Sequence, residues 1–548
     1  LKYPENLTMT SRWPVTAFFA IYLLLGLFIY KDFGIYYDDH WARENGVVNG
    51  IYIAGEIAPS VLEGKNYCPE CPTLAEYVDG DHGPIFELVP TFLEWLFEVK
   101  DLQKVFQLRH LCTFLLFYVS TIFFYLLLKE RFRNTLLALT GTAMLIVSPR
   151  IFAESFYNSK DLPFLSLSVI STYTLVLFLK NRNYKTAIWH ALASALAIDL
   201  RLLGLIFPAL TAGFSFLNLN LFRKDGEPLQ EAFKRVSFYG LLLLGFMIVF
   251  WPYLWEKPYI RFPQVVARSS AFPWPGQMLF MGEAIPATNL PWHYLPTWFF
   301  ITTPVLYSVL FVLGLLFLLR QTFWPRFSLY RNLKEQQDWI MAGLFLIPVL
   351  AAILLNLVLY DGWRHLYFIY PPFIYLAVLG FHTLYRKFSS LPYKQTGKML
   401  RTGLVAILLL YMGNLAFWMV KNHPHQNVYF SIYKDDRVRQ KFELDYWGLA
   451  YKQGLEFVVK DSDKPAINVY VANLPGRTNQ FSLPPKQRKR LVYVDHISKA
   501  DYFLTEYRWH PKDYPLQKEV YQIKVDDIKI FSVFKLDKTY KSLETHVY

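Results

Sequence analysis

Long apolar runs separated by short polar turns recur from one end of this chain to the other. Eleven of them, at about 15–30, 107–128, 134–149, 163–179, 186–199, 202–220, 236–254, 297–319, 339–359, 366–384 and 401–420, are continuous rather than alternating. Continuous runs predict helices, since roughly 20 residues cross the ~30 Å of hydrocarbon in a bilayer. Alternation would instead predict barrel strands. The expected fold is a polytopic α-helical membrane protein with about 11 transmembrane helices. The first run follows Arg12 and lacks a small-residue cleavage site, so a retained first span is expected.

Three polar segments are larger than turns: about 31–103, about 255–296, and 421–548. The first holds "PIFELVPTFLEWLFEV", in which Glu87, Thr91, Glu94 and Glu98 recur at helical spacing on one face. This predicts a helix lying in the membrane interface; a helix packed among the spans, kinked at Pro90, is the other reading. The second is rich in Trp, Pro and Tyr ("AFPWPGQMLF", "NLPWHYLPTWFF"), which suits the headgroup level and a lid or belt over a site. After Lys421 the pattern changes. "AINVYVA", "RLVYVDHI", "DYFLTEY" and "IKIFSVFKL" predict strands, and "DYWGLAYKQGLEFVVK" predicts an amphipathic helix. The expected organisation is a membrane domain over 1–420 followed by an extracytoplasmic α/β domain over 421–548. The basic run "KQRKR" within it reads as a solvated loop.

Composition sharpens this picture. The 548 residues are 54% hydrophobic and 18% aromatic, too apolar for an ordinary soluble domain. The formal charge of +13 raises nucleic acid as a partner, but the positions of the cations answer it. With the N-terminus in the cytoplasm, the inside turns carry Lys129, Arg131 and Arg133; Lys180, Arg182 and Lys185; Arg223, Lys224, Lys234 and Arg235. Farther along they carry Arg320, Arg326, Arg331 and Lys334, then Arg386, Lys387, Lys394, Lys398 and Arg401. The short outside turns carry few, so the charge is a topology signal and no nucleic acid is expected. Of three cysteines, Cys112 sits in an apolar run as a packed thiol. Cys68 and Cys71 form one C-x-x-C, which leaves a local disulfide, metal binding and free thiols open.

Charges near lipid are expensive and are usually paired or functional. Here they gather on the outside face: Asp38, Asp39 and His40 in "GIYYDDHW"; His82 in "DGDHGPIF"; Arg150, Lys160 and Asp161 in "SPRIFAESFYNSKDLPF"; Asp199 and Arg201 in "AIDLRLLG"; Arg364 and His365 in "DGWRHLYF". Arginine offers a planar fork matched to phosphate oxygens, and a carboxylate offers a general base. Together they suit transfer of a group whose leaving group is a phosphate, and in a membrane the phosphate-bearing donor is a lipid. Each residue also has a plainer reading. Asp38 and Asp39 are good helix caps, Arg201 and Arg364 are interface anchors that snorkel, Arg201 has Asp199 two residues away, and Lys160 has Asp161 beside it. Two adjacent Asp without a third ligand do not make a metal site, and no metal is expected.

At these residues the chain resembles C-type (GT-C fold) glycosyltransferases of family 39, the protein O-mannosyltransferases and aminoarabinose transferases. That family places an acidic pair just after its first span, matched here by Asp38-Asp39, with Asp39 where Glu is usual. "HGP" at 82–84 is similar to its His-Pro-Pro stretch, and "LPWHYLPTWFFITTP" and "DGWRHLYFIYPP" look like segments of bacterial members. The resemblance implies a polyprenyl-phosphate sugar as co-substrate, no further cofactor, and an acceptor hydroxyl on a protein, lipid or glycan. It implies catalysis by Asp38 as base with Asp39 in support, inversion at the anomeric carbon, and a bacterial inner-membrane location. His82, Lys160, Arg201, Arg364 and His365 are the expected substrate- and phosphate-binding residues. A transporter or flippase for a lipid-linked substrate is the competing class; internal repeats and helices broken at the midplane would favour it, but the sequence shows neither and its polar residues gather at one face.

Overall fold

The computed structural model describes residues 13–63, 68–221, 228–270 and 274–536. The expected topological residues Arg12, Arg223 and Lys224, and the start of "AFPWPGQMLF" at 271–273, lie outside the described residues.

Every apolar run forms helix. The membrane part comprises α1 (Trp13–Ile29), α2 (Asp39–Ile57), α3 (Ile85–Leu96), α4 (Leu102–Phe132), α5 (Thr135–Ile146), α6 (Pro149–Tyr157), α7 (Asp161–Asn181) and α8 (Tyr184–Leu200). It continues through α9 (Ile206–Leu221), α10 (Leu229–Phe250), α11 (Pro258–Ser270), α12 (Tyr294–Ile301), α13 (Val305–Phe323), α14 (Leu333–Leu354), α15 (Tyr370–Ser389) and α16 (Lys394–Lys421). Seven of the described helical segments are long and apolar enough to cross a bilayer, or eight if α5 and α6, bent by 70°, count as one broken span. Helix α1 and the segment Leu202–Asn218 are apolar but shorter. The chain is thus a polytopic helical membrane protein whose eleven apolar runs are not all full-length spans. The run at 297–319 is interrupted: α12 ends at Ile301, and Thr302, Thr303 and Pro304 lead into α13.

Polar residues punctuate these helices as their chemistry requires. Asn134, Asn183 and Asn332 cap α5, α8 and α14 by accepting hydrogen bonds from backbone N–H groups one turn in. Helices α7 and α15 are the most enclosed of the spans, whereas α10 and α16 are mostly open to lipid. Close approach of α13 and α15 depends on Gly314 and Gly380, where a Cβ would fall 2.0 Å from the Leu376 carbonyl and 2.1 Å from that of Leu310. Small residues are how apolar helices approach in the absence of a hydrophobic driving force.

A short hairpin, β1 (Gln277–Phe280) with β2 (Glu283–Pro286), stands in the second large loop. Beyond α16, helix α17 (Tyr451–Asp461) packs on a five-stranded sheet of β3 (Ile467–Val471), β4 (Leu491–Tyr493), β5 (Tyr502–Thr505), β6 (Glu519–Val525) and β7 (Ile528–Lys535). Its order is β4-β3-β5-β7-β6, with β3 parallel to β4 and β5 and the remaining pairs antiparallel. The four strand-like runs are strands; β6 is a fifth, an edge strand with register shifts at Glu519/Tyr521 and Ile523/Lys524. In the basic run, Arg490 is not simply solvated: its guanidinium donates to the carbonyls of Val459 (2.9 Å) and Lys464 (3.1 Å).

This C-terminal part grips the chain just before the acidic pair. Asn479 accepts from the Ile35 N–H and donates to the Ile35 carbonyl, each at 2.9 Å. Lys452 donates to the carbonyls of Lys31 (2.6 Å) and Asp32 (2.9 Å). A side chain at Gly34 would collide with the Leu449 carbonyl, 2.4 Å from a Cβ there. Cys68 and Cys71 are disulfide-bonded, and Cys112 is a buried free thiol.

Candidate functional site

Asp38 and Asp39 open α2, and the helix start sends their side chains into different surroundings. Asp38 occupies the cap position but its carboxylate makes no capping hydrogen bond. It is 19% exposed and lies 3.9 Å from Nη1 of Arg364. Asp39 is fully buried and accepts from Nε of Arg109 at 3.1 Å.

Arg109 stands at the centre of a buried acid cluster. It also donates to Glu87 and lies 3.6 Å from Glu94, which in turn accepts from Arg43 at 2.9 Å. Ser159 donates to Glu87 and exchanges a hydrogen bond with Tyr36, linking the cluster to the turn before α7. Helix α3 therefore presents its acids inward and exposes Val89, Phe92, Trp95 and Leu96. An exposed apolar face fits a helix at the membrane surface, as expected. The polar face differs from expectation: it is covered by protein, because Arg109 gives Glu87 and Glu94 a better partner than water.

Burial pushes the Asp39 carboxyl up to about 7, with the Arg109 charge pulling it down and the Glu87 charge pushing it further up. Burial likewise raises Glu443 to about 8 and Glu506 to about 7. An acid with a raised folded-state pKa holds a proton that the unfolded chain has lost above about pH 4. Its stabilising contribution is complete below that pH and declines as pH rises toward 7–8. The melting temperature of the purified protein is expected to fall between pH 5 and pH 8, with a shallower fall in Asp39→Asn. A melting temperature that rises over this window would refute the assignment.

On the other side of Asp38, Arg364 holds a second cluster. It lies 3.3 Å from Asp161 and 3.4 Å from Asp361. Its guanidinium stacks over Tyr360 at 4.6 Å and Trp447 at 4.7 Å. Arg201 also donates to Asp161, so two arginines share one carboxylate. The sequence neighbour Asp199 is not Arg201's partner; it accepts from the Ile85 N–H at 2.9 Å and packs against Gly83. Asp361 is held by Arg508 at 2.6 Å, a residue from the loop after β5. Glu154, on α6, is buried and accepts from Asn158, Tyr367, Tyr446 and Trp447. Arg150, one turn before it, is buried with its guanidinium 6.0 Å from the Trp298 ring.

Of the expected residues, Asp38, Arg364 and Arg201 fall within one contact network, with Asp161 at its centre. Lys160 precedes Asp161 and does not pair with it; among the described residues its ammonium meets no carboxylate within ion-pair distance. His365 adjoins Arg364, its ring 4.4 Å from Tyr360. Asp39 backs the network through Arg109. His82 is not brought into it: half exposed, it faces Asp81 at 3.3 Å and Asp79 at 3.7 Å, beside Arg268. Arg109, Glu154, Asp361, Trp447 and Arg508 were not anticipated. A charged "RH" inside the apolar start of α4 was a readable signal for Arg109; nothing local marks Arg508, which meets Asp361 across 147 residues. Among the described residues no three His, Cys, Asp or Glu side chains form a metal-ligand group.

Fold and site together define a class: a polytopic membrane protein with an aromatic-walled cluster of arginines and carboxylates at one end of its helices. No family model matches the chain, and no curated protein matches it. Solved structures are similar to it. Two are of ArnT from Cupriavidus metallidurans. The apo structure has TM-score 0.48 and 11% identity, over 95% of this chain and 98% of that one. The one bound to undecaprenyl phosphate has TM-score 0.48 and 12% identity, over 96% and 98%. A third is the oligosaccharyltransferase of Archaeoglobus fulgidus in the apo form, at TM-score 0.48 and 10% identity, over 90% of this chain and 66% of that one.

Proposed function

We propose that this chain is an integral-membrane glycosyltransferase, moving a sugar from a polyprenyl-phosphate donor to an acceptor hydroxyl on the extracytoplasmic side. The observation that carries the reading is the placing of Asp38: a partly exposed carboxylate, free of any capping bond, 3.9 Å from a guanidinium that belongs to a larger cation group. In this reading Asp38 takes the acceptor proton as the hydroxyl oxygen attacks the anomeric carbon. The bond from that carbon to the phosphate oxygen breaks, and Arg364, Arg201 and Lys160 receive the charge that develops on the leaving phosphate. A single displacement inverts the anomeric centre. Asp39, neutralised in part by burial and held by Arg109, positions the start of α2.

The N-terminus is cytoplasmic and the residues after 420 form an extracytoplasmic domain in this reading. That domain supplies Trp447 beneath Arg364 and Arg508 beside Asp361, so it shapes the site as well as the acceptor surface.

Arg364→Lys keeps a cation but loses the fork shared between Asp38, Asp161 and Asp361. Donor turnover is expected to drop about 10²–10³-fold, with the melting temperature changed far less than turnover. Product stereochemistry tests the displacement itself. Incubation with a labelled polyprenyl-phosphate sugar of known anomeric configuration is expected to yield the inverted product and free polyprenyl phosphate. Retention of configuration would rule out the one-step mechanism.

A further inference from the structure

A second charged cavity lies at the opposite end of the helices from Asp38. Helix α4 connects the two: Arg109 stands near its first turn and Arg133 caps its last. The cavity, of about 720 Å³, is lined by Arg133, Lys180, Arg182, Arg331 and Lys334, with Glu130 the one carboxylate among the described residues that line it. Val176 and Ile340 form part of its inner wall. This volume lies in the range of small-molecule sites.

Cations at helix ends commonly serve the helix itself by answering its unpaired carbonyls. Arg331 does so at the end of α13, but Lys180 and Arg133 do not. Lys180 at 2.8 Å and Arg133 at 3.2 Å both turn to the same oxygen of Glu130, so one carboxylate is divided between two cations. Arg331 faces Glu335 at 3.9 Å and donates to the Gln321 carbonyl. Among the described residues Lys334 pairs with no carboxylate. The nearby Asp338 cannot neutralise the cavity, because Arg131 and Tyr375 already occupy it. The N-terminus of α14, capped by Asn332, also points its positive end here.

We infer that this cavity binds the headgroup of an acidic glycerophospholipid, one carrying more than one negative charge, at the membrane face opposite the candidate site. Lys334, and the two cations that share Glu130, leave a cation excess among the described residues that calls for a multiply charged ligand. The apolar wall, and the partly exposed Leu333 at the rim, continue from the cavity toward lipid. Basic pockets between spans are suited to such headgroups. This site is independent of the transfer chemistry.

The test is native mass spectrometry of the full chain released from nanodiscs of phosphatidylcholine doped with cardiolipin. Wild type is expected to retain cardiolipin in preference to phosphatidylcholine. The triple variant Arg133→Gln, Lys180→Gln, Lys334→Gln is expected to retain it about 100-fold less well. Glu130→Gln, which removes the competing carboxylate, is expected to retain it more tightly and keeps the test valid should the triple variant fold poorly. Equal retention of both lipids, or weaker retention by Glu130→Gln, would overturn the inference. Displacement of the lipid by millimolar inorganic pyrophosphate would also overturn it, showing a site for free phosphate groups.

Discussion

Arg109→Ala is expected to destabilise the protein by about 3–5 kcal/mol, the cost of leaving a buried charge cluster without its counter-charge. Three carboxylates converge on this one guanidinium: Asp39, Glu87 and Glu94. Arg43 still reaches Glu94, and Ser159 still reaches Glu87, but among the described residues nothing else of opposite fixed charge reaches Asp39. Its other neighbour, His110, lies 3.9 Å away. The loss would loosen α2 from α3 and α4 together, so the segment carrying Asp38 would move as well. Thermal melting in detergent measures the effect. Adding Asp39→Asn and Glu87→Gln to the Arg109→Ala chain should recover part of the stability, because neutral groups no longer need the cation. A single variant as stable as wild type would show that the cluster is not held as described.

Asp38→Asn is expected to behave in the opposite way: normal melting, and transfer reduced by roughly 10²–10⁴-fold, the usual contribution of a general base. The contrast comes from geometry. A capping Asp replaced by a poorer cap costs about 1 kcal/mol, but Asp38 makes no capping bond, so little stability rests on it. Asn preserves size and polarity and removes the negative charge, and with it the capacity to accept a proton. A variant that melts early and turns over normally would make Asp38 a structural cap and leave the base elsewhere.

The membrane class was legible in the sequence because hydrocarbon imposes a long, continuous apolar run on any helix that crosses it. The amphipathic period of α3 was legible because its two faces meet different surroundings, and four of the five C-terminal strands were legible from their β-branched and aromatic runs. Two things hid from local reading. Interruptions inside an apolar run, such as Thr302 to Pro304, do not change its hydropathy enough to show. Long-range pairing leaves no local mark: Arg109 meets Asp39 across 70 residues and Arg364 meets Asp161 across 203. The acidic doublet was readable as a site and not as two different environments. Only the start of α2 separates them, one side chain toward Arg364 and the other toward Arg109. His82 shows the converse. Its motif suggested the site, but Asp199 fixes the turn after it while His82 itself faces Asp79 and Asp81.

The central claim is that this chain cleaves a lipid-linked donor rather than carrying it across the membrane. Purified protein in vesicles, given a radiolabelled polyprenyl-phosphate sugar and a panel of hydroxyl acceptors, measures both events at once. The account predicts release of free polyprenyl phosphate with stoichiometric sugar transfer, lost in Asp38→Asn. Movement of intact donor between leaflets with no cleavage by wild type, or full cleavage by Asp38→Asn, would contradict it.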